Sequence, residues 1–274
     1  MADDELGDRD FERFRDLIYK VAGIRIPPTK KVMVANRLRR RLRATGIVSF
    51  PAYYAHLTSP AGPAEMPAFL DAITTNETYF YRDAHHYQWL AETFLPEAAR
   101  RPKARGVPIR IWSAACATGE EPYSIALKVA AGRQALAGRD VSILGTDLSG
   151  AALETARIGA FDERAVHLVG PEERNRSFDF DPALRRWTLR PEVRSMVTWR
   201  LHNLLKPVDG GPFDCIFIKN VLIYFDADSK QAVVRHLLAA LARGGYLVVG
   251  PTEGIFSMLG TLTKLKTWLY QKPA

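Results

Sequence analysis

The sequence predicts an α/β chain: a doubly wound sheet with a small inserted antiparallel β-subdomain, preceded by an all-helical N-terminal domain. Three observations carry this. Helical periodicity without any strand pattern runs from Asp10 to Thr74. From Val107 onward, short apolar runs alternate with helical stretches, the rhythm of βαβ units. Between Phe178 and Leu201 that rhythm gives way to two short β-like runs. The length, 274 residues, suits two units, which we place at 1–75 and 76–274 with the insertion at about 174–203.

Taken in order, Phe11, Phe14, Leu17, Ile18 and Val21 recur at helical steps after Asp10, read as the N-cap, and Gly23 stops the helix. Pro27 and Pro28 break the chain. A second helix from Lys30 puts Val34, Ala35, Leu38 and Leu42 on one stripe and Arg37, Arg40 and Arg41 on another, and Gly46 ends it. Short helices follow at Pro51–Leu57 and before Thr74. In the second unit the strands are Ile109–Trp112, Val141–Gly145, Phe213–Ile218 and Tyr246–Val249, with helices at Pro122–Ala131, Ser149–Ile158 and Ser229–Ala242. Trp187–Leu189 and Met196–Trp199 read as antiparallel strands of the insertion.

Hydrophobic residues make up 47% and charged residues 25%, enough apolar surface for a large core, which excludes a disordered chain. No apolar run is long enough to span a bilayer, and the acidic start Met1–Asp8 does not fit a signal peptide, so a cytoplasmic protein without membrane insertion is expected. Cys116 and Cys215 are far apart and have no ligand-type neighbours, so they are read as reduced and buried, with no metal site. His85 and His86 do not alter this, because adjacent histidines on a helix do not face one ligand; a partly exposed helix start is expected there. The net charge of +8 is concentrated. Between Leu17 and Ala64 there is no Asp or Glu, while Lys20, Arg25, Lys30, Lys31, Arg37, Arg39, Arg40, Arg41 and Arg43 are all cationic. Such a segment suits nucleic acid, anionic lipid or an acidic protein, or is simply a solvated helix face.

In an open α/β sheet the ligand lies beyond the carboxyl ends of the strands. After the first strand comes Ser113-Ala114-Ala115-Cys116-Ala117-Thr118-Gly119-Glu120-Glu121-Pro122. Its small side chains admit a ligand to the backbone. Glu120 and Glu121 either complement the dipole of the next helix or face a cationic ligand; they would repel a phosphate, and no phosphate-binding glycine motif occurs. Asp147 ends the second strand, where a carboxylate can bind the two hydroxyls of a ribose; with Ser149 available as helix cap, Asp147 is free for that role. A ribose and a cation without phosphate describe S-adenosylmethionine. Asn220 and Tyr224 follow the third strand, where substrate meets cofactor, although Tyr224 could equally pack under a loop.

These segments together resemble the CheR-like family, the chemotaxis receptor glutamate methyltransferases. The resemblance rests on Leu17-Ile18-Tyr19 with Ala22-Gly23-Ile24, on Arg37 to Arg43, on Thr74 to Arg82, on Trp112-Ser113-Ala114 with Thr118 to Ser124, and on Asn220 to Phe225. It implies a Rossmann-like S-adenosylmethionine-dependent methyltransferase domain whose product is S-adenosylhomocysteine. By the same resemblance, Asn76, Thr78, Arg82, Glu121, Asp147, Asn203, Leu204, Asn220 and Val221 hold the cofactor. Arg82 and Tyr224 stand closest to the transfer, and Arg37, Arg40 and Arg41 dock a chemoreceptor cytoplasmic domain. A cofactor-binding sensor without catalysis and an RNA-directed methyltransferase are the rivals; the basic segment lacks the interleaved aromatics that nucleic-acid binding favours, so no nucleic-acid partner is expected.

Three departures from the family pattern matter. Arg174 to Leu205 contains no glycine, whereas tethered members carry a glycine-bearing loop there, so dependence on a receptor tether peptide is not expected. Gly250-Pro251-Thr252-Glu253 replaces the usual Gly-His-Ser-Glu, and Lys219 stands where Arg is usual. The protein is expected to act as a monomer.

Overall fold

The computed structural model describes residues 5–101 and 106–274. Four helices come first: α1 (Asp8–Ala22), α2 (Lys31–Thr45), α3 (Phe50–Leu57) and α4 (Gly62–Ile73). Their apolar stripes meet in one core of Phe14, Ile18, Val34, Leu38, Phe50, Tyr53 and Phe69. The first helix starts at Asp8 with Gly7 as its unassisted cap, so Asp10 sits inside the first turn and pairs with Arg13 instead of capping. Gly23 and Gly46 end α1 and α2 in left-handed conformation, as the stop signals predict.

The linker leads through α5 (Ala84–Trp89), a π turn at Leu90–Phe94 and α6 (Leu95–Arg100) into the sheet domain. Its elements are β1 (Ile109–Ala114), α7 (Glu120–Ala131), β2 (Val141–Asp147), α8 (Gly150–Ile158), β3 (Ala160–Phe161), α9 (Glu163–Val166), α10 (Pro171–Ser177), β4 (Phe178–Asp181) and β5 (Arg186–Leu189). After them come α11 (Pro191–Arg194), β6 (Val197–Leu201), β7 (Phe213–Ile218), α12 (Ala227–Ala240), β8 (Leu241–Val249), β9 (Thr263–Lys266) and β10 (Leu269–Gln271). The main sheet runs β6-β2-β1-β7-β8-β10-β9, parallel from β6 to β8 and antiparallel over its last two strands. From β1 the chain winds outward through β2 to β6, then returns to β7 on the other side of β1. The reversal opens a crevice above the ends of β1 and β7.

Burial on both faces explains the continuous apolar strands. Cys215 and Phe217 of β7 enter the core on one face, shared with Ile109 and Ile111 of β1 and Ile125 of α7. Ile216 and Ile218 enter the other, with Trp112, Leu144 and Val233 of α12. Both cysteines are free and buried.

One strand differs from the sequence reading. Trp187–Leu189 lies in the small antiparallel sheet β3-β5-β4, but Val197–Leu201 pairs parallel with β2 and forms the edge of the main sheet. Alternation marks a half-buried strand without naming its partner. Trp199 gives the reason for this placement: its ring covers Gly145 of β2, where an added Cβ would come within 2.7 Å of it. The small sheet therefore draws its first strand from upstream of residue 174 and ends before Val197.

Candidate active site

A cavity of about 570 Å³ lies above the carboxyl ends of β1, β2, β6 and β7, closed on its far side by the helical domain. Its floor is the turn after β1. Ala115 and Ala117 adopt left-handed φ of 60° and 50°, and Gly119 follows at 97°, folding the chain back beneath the cavity that Ala115, Cys116 and Ala117 line. Gly119 is required twice over, because a Cβ there would also lie 2.8 Å from Ala156 and from Trp199. Glu120 and Glu121 are the first two residues of α7 rather than its preface. Glu121 lines the cavity and accepts from Ser113 Oγ at 2.8 Å, whereas Glu120 turns away, accepts from Thr118 Oγ1 at 2.7 Å, and is pushed by burial up to about 6.

Asp147 reaches the cavity from the tip of β2. Its two oxygens accept from the backbone N–H groups of Ala117 and Ser149, at 2.8 and 2.9 Å, and each retains acceptor capacity for a hydroxyl. Burial raises its pKa, opposed by those N–H groups. Ser149 caps α8 by accepting from Ala152 N–H at 3.1 Å, the cap the sequence predicts.

Beyond β7, Asn220 takes φ 58°, a left-handed conformation asparagine tolerates better than most residues. Glu253 explains how this turn is held. Fully buried, its carboxylate accepts from the backbone N–H groups of three successive residues: Asn220, Val221 at 3.2 Å and Leu222 at 2.7 Å. Pro251 and Thr252 leave that contact intact. Tyr224 follows on a short 3-10 turn (Leu222–Tyr224), 38% exposed at the cavity mouth. Arg82, half-buried, lines the same cavity and donates to Glu77 O at 3.2 Å.

The helical domain supplies the opposite wall through Ile24 to Pro27, Lys30, Met33 and Arg37. It is joined to the sheet domain at the cavity rim. Arg25 N–H donates to Tyr224 O at 2.8 Å, Ile24 bridges Phe225, and Asn203 Nδ2 donates to Val21 O at 2.8 Å.

Two family models match this chain: "CheR methyltransferase, all-alpha domain" over residues 9–74 and "CheR methyltransferase, SAM binding domain" over 76–270. The chain belongs to the CheR methyltransferase family. Its cofactor is S-adenosylmethionine. Family relatives include the chemotaxis protein methyltransferase of Salmonella typhimurium, 38% identical over 93% of this chain and 86% of its own. The probable chemotaxis protein methyltransferase of Rhizobium etli is 37% identical over 87% and 90%, and chemotaxis protein methyltransferase 1 of Pseudomonas aeruginosa 36% over 90% of each.

Within this CheR-family cavity the structure brings together Asn76, Thr78, Arg82, Glu121, Asp147, Asn203, Leu204, Asn220, Val221 and Tyr224. Asn203 differs in character from the others: both ends of its amide are used within the protein, Nδ2 on Val21 O and Oδ1 on Leu205 N–H. The three arginines read as one docking stripe separate. Arg37 lines the cavity and spends its guanidinium on the carbonyls of Ile73 and Thr74 and on Thr75 Oγ1. Arg41 forms a two-pronged pair with Glu65, at 2.8 and 2.9 Å, which Tyr53 also joins. Arg40 alone of the three is exposed. Arg37 and Arg41 are half-buried and bonded within the helical domain.

His85 is exposed but His86 is buried against Trp268, with ring centroids 4.4 Å apart, and burial pushes its pKa down to about 2. Among the described residues no His, Cys, Asp and Glu cluster is arranged to hold a metal. Sequence reasoning missed His202 and gave Lys219 and the wall residues Ile24 to Pro27, Lys30 and Met33 no place in the cavity. Their place in the cavity depends on partners far along the chain, which a local pattern does not show.

Proposed function

We propose that this chain transfers the methyl group of S-adenosylmethionine to glutamate side-chain carboxylates of chemoreceptor cytoplasmic domains, giving glutamyl methyl esters and S-adenosylhomocysteine. The observation that carries this is a cavity lined by Asp147 and Glu121, without phosphate-binding machinery, whose mouth presents Arg82 and Tyr224. Asp147 would take the ribose hydroxyls. Asn76, Thr78, Glu121, Leu204, Asn220 and Val221 would hold the rest of the cofactor, and Asn203 would support that wall through its backbone contacts. When bound, the cofactor supplies a methyl group activated by a sulfonium.

A glutamate carboxyl has an ordinary pKa of about 4.3, so the acceptor is already ionised at neutral pH and no general base is needed. Methyl transfer forms one carbon–oxygen bond, breaks one carbon–sulfur bond whose electrons stay on sulfur, and moves no proton. The task of the protein is alignment in a site poor in water. Arg82 would orient the acceptor carboxylate, and the Tyr224 hydroxyl would donate a hydrogen bond beside the reacting atoms. Arg40, facing solvent on α2, would steer an acidic receptor helix. In this reading the full chain acts as a cytoplasmic monomer and needs no receptor tether peptide; micromolar binding of such a peptide would refute that last point.

The experiment is transfer of labelled methyl to a chemoreceptor cytoplasmic domain, followed by mild alkali. Release as volatile methanol identifies a glutamyl ester. Label stable to alkali would instead require a nitrogen acceptor, and cofactor binding without any transfer would favour a sensor.

A further inference from the structure

The residue after β7, Lys219, carries a buried ammonium that the reaction does not explain. Its side chain is 2% exposed. Three acceptor groups face it: the ammonium donates to Arg82 O at 2.7 Å and pairs by charge alone with Asp83 Oδ2 at 3.2 Å and Glu121 Oε2 at 3.4 Å. These acceptors come from two elements remote in sequence, the turn before α5 and the start of α7. The Tyr87 ring lies 5.2 Å from the same ammonium.

The turn it grips is strained. Tyr81 and Asp83, on either side of Arg82, both hold left-handed φ, 59° and 62°. Side-chain-bearing residues stay in that region only where their surroundings over-determine them. Before Arg82 the surroundings are Ser124 Oγ, which accepts from Tyr81 N–H at 3.0 Å, and Glu173, which accepts from the Tyr81 hydroxyl at 2.8 Å. After it they are Lys219 and the first turn of α5. Among the described residues Lys219 is the one cation paired with either carboxylate, and both lose that counter-charge if it goes.

We propose that Lys219 is a positioning residue for transfer: it fixes the Arg82 turn and the Glu121 carboxylate in one register across the cavity. This rests on the reading of Arg82 as the group beside the acceptor. Without Lys219, the Arg82 guanidinium is the cation next in sequence to the unneutralised Asp83. It turns inward and leaves the mouth.

The test is a double-mutant cycle in the full chain, with transfer rates measured at saturating cofactor and receptor. Lys219→Met lowers kcat at least about tenfold, and Lys219→Arg, which keeps the charge, recovers most of it. In an Arg82→Ala background Lys219→Met costs under about threefold, because the residue through which it acts is already gone. Equal losses in both backgrounds would assign Lys219 a general structural role and overturn the proposal, as would an unchanged kcat. Should Lys219→Met fail to fold, Asp83→Asn, which suits a left-handed position, takes its place in the cycle, and the same two outcomes support or overturn the proposal. S-adenosylhomocysteine affinity, read by calorimetry, separates the two readings. A wild-type chain that makes no base-labile ester sinks the acceptor assignment, whereas Lys219→Met binding S-adenosylhomocysteine with wild-type affinity sinks the hold on Glu121.

Discussion

The two walls of the cavity are built differently. On the sheet side three anchors are fixed by buried partners: Asp147 by two backbone N–H groups, Glu121 by Ser113 and Lys219, the Asn220 turn by Glu253. On the helical side the wall is joined by rim contacts and by α4 against α8, and Arg25 and Lys30 reach solvent, with the Arg25 side chain 63% exposed. The sheet side is pre-organised for a ligand that never changes, the cofactor. In the proposed reading the helical side would meet the part of the reaction that varies, the acceptor. Damage on the two sides should therefore separate into cofactor affinity and acceptor Michaelis constant.

The sharpest break in that contrast is Asp147→Ala. Loss of charge-assisted bonds to two hydroxyls should weaken S-adenosylhomocysteine binding by about 3 kcal/mol, roughly a hundredfold, in calorimetry. An unchanged affinity would show that the sheet side does not hold the nucleoside. Next comes the buried Glu120. Its folded pKa, about 6, lies above its ordinary 4.5, so the folded state binds the proton more tightly. Its contribution to stability is complete below pH 4.5 and is lost as pH rises through about 6, up to about 2 kcal/mol. Urea unfolding of Glu120→Gln should lack that part of the slope, while the parent, in which burial also raises Asp147 and Glu253, keeps it.

Glu253→Gln turns one acceptor into an NH2 group facing backbone donors. It should cost about tenfold in cofactor affinity, near 1.4 kcal/mol, with little effect on the receptor Michaelis constant. The smallest effect belongs to the helical side: Arg40→Glu should raise that Michaelis constant a few-fold at low salt, less at high salt, and leave cofactor affinity alone. A fall in cofactor affinity from Arg40→Glu would erase the distinction between the walls.

What is legible in the sequence follows the range of the physics involved. Periodicity is local, so the helices of the first domain and the buried strands β1, β2, β7 and β8 are legible, as are Asp147 and Ser149, whose partners are near in sequence or set by strand position. Partners far along the chain are not. Arg37, Arg40 and Arg41 look alike in sequence, yet Arg37 meets carbonyls and Arg41 a carboxylate more than twenty residues away, while Arg40 meets water. Glu253 finds its three N–H groups 31–33 residues upstream. Val197–Leu201 shows in sequence that it is a strand but not which sheet it joins, because direction is decided by the glycine surface of β2 that Trp199 covers.

The seam where Ile24 meets Phe225 and Asn203 meets Val21 O has a thermodynamic meaning as well. Two separately cored domains face one cavity, yet the residues proposed to hold the cofactor all lie on the sheet side of it. A ligand at a hundred times its dissociation constant adds about 2.7 kcal/mol to whatever must stay folded to bind it. Here that is the sheet domain, which carries every residue proposed to hold the cofactor, so saturation should draw two melting events apart instead of raising both.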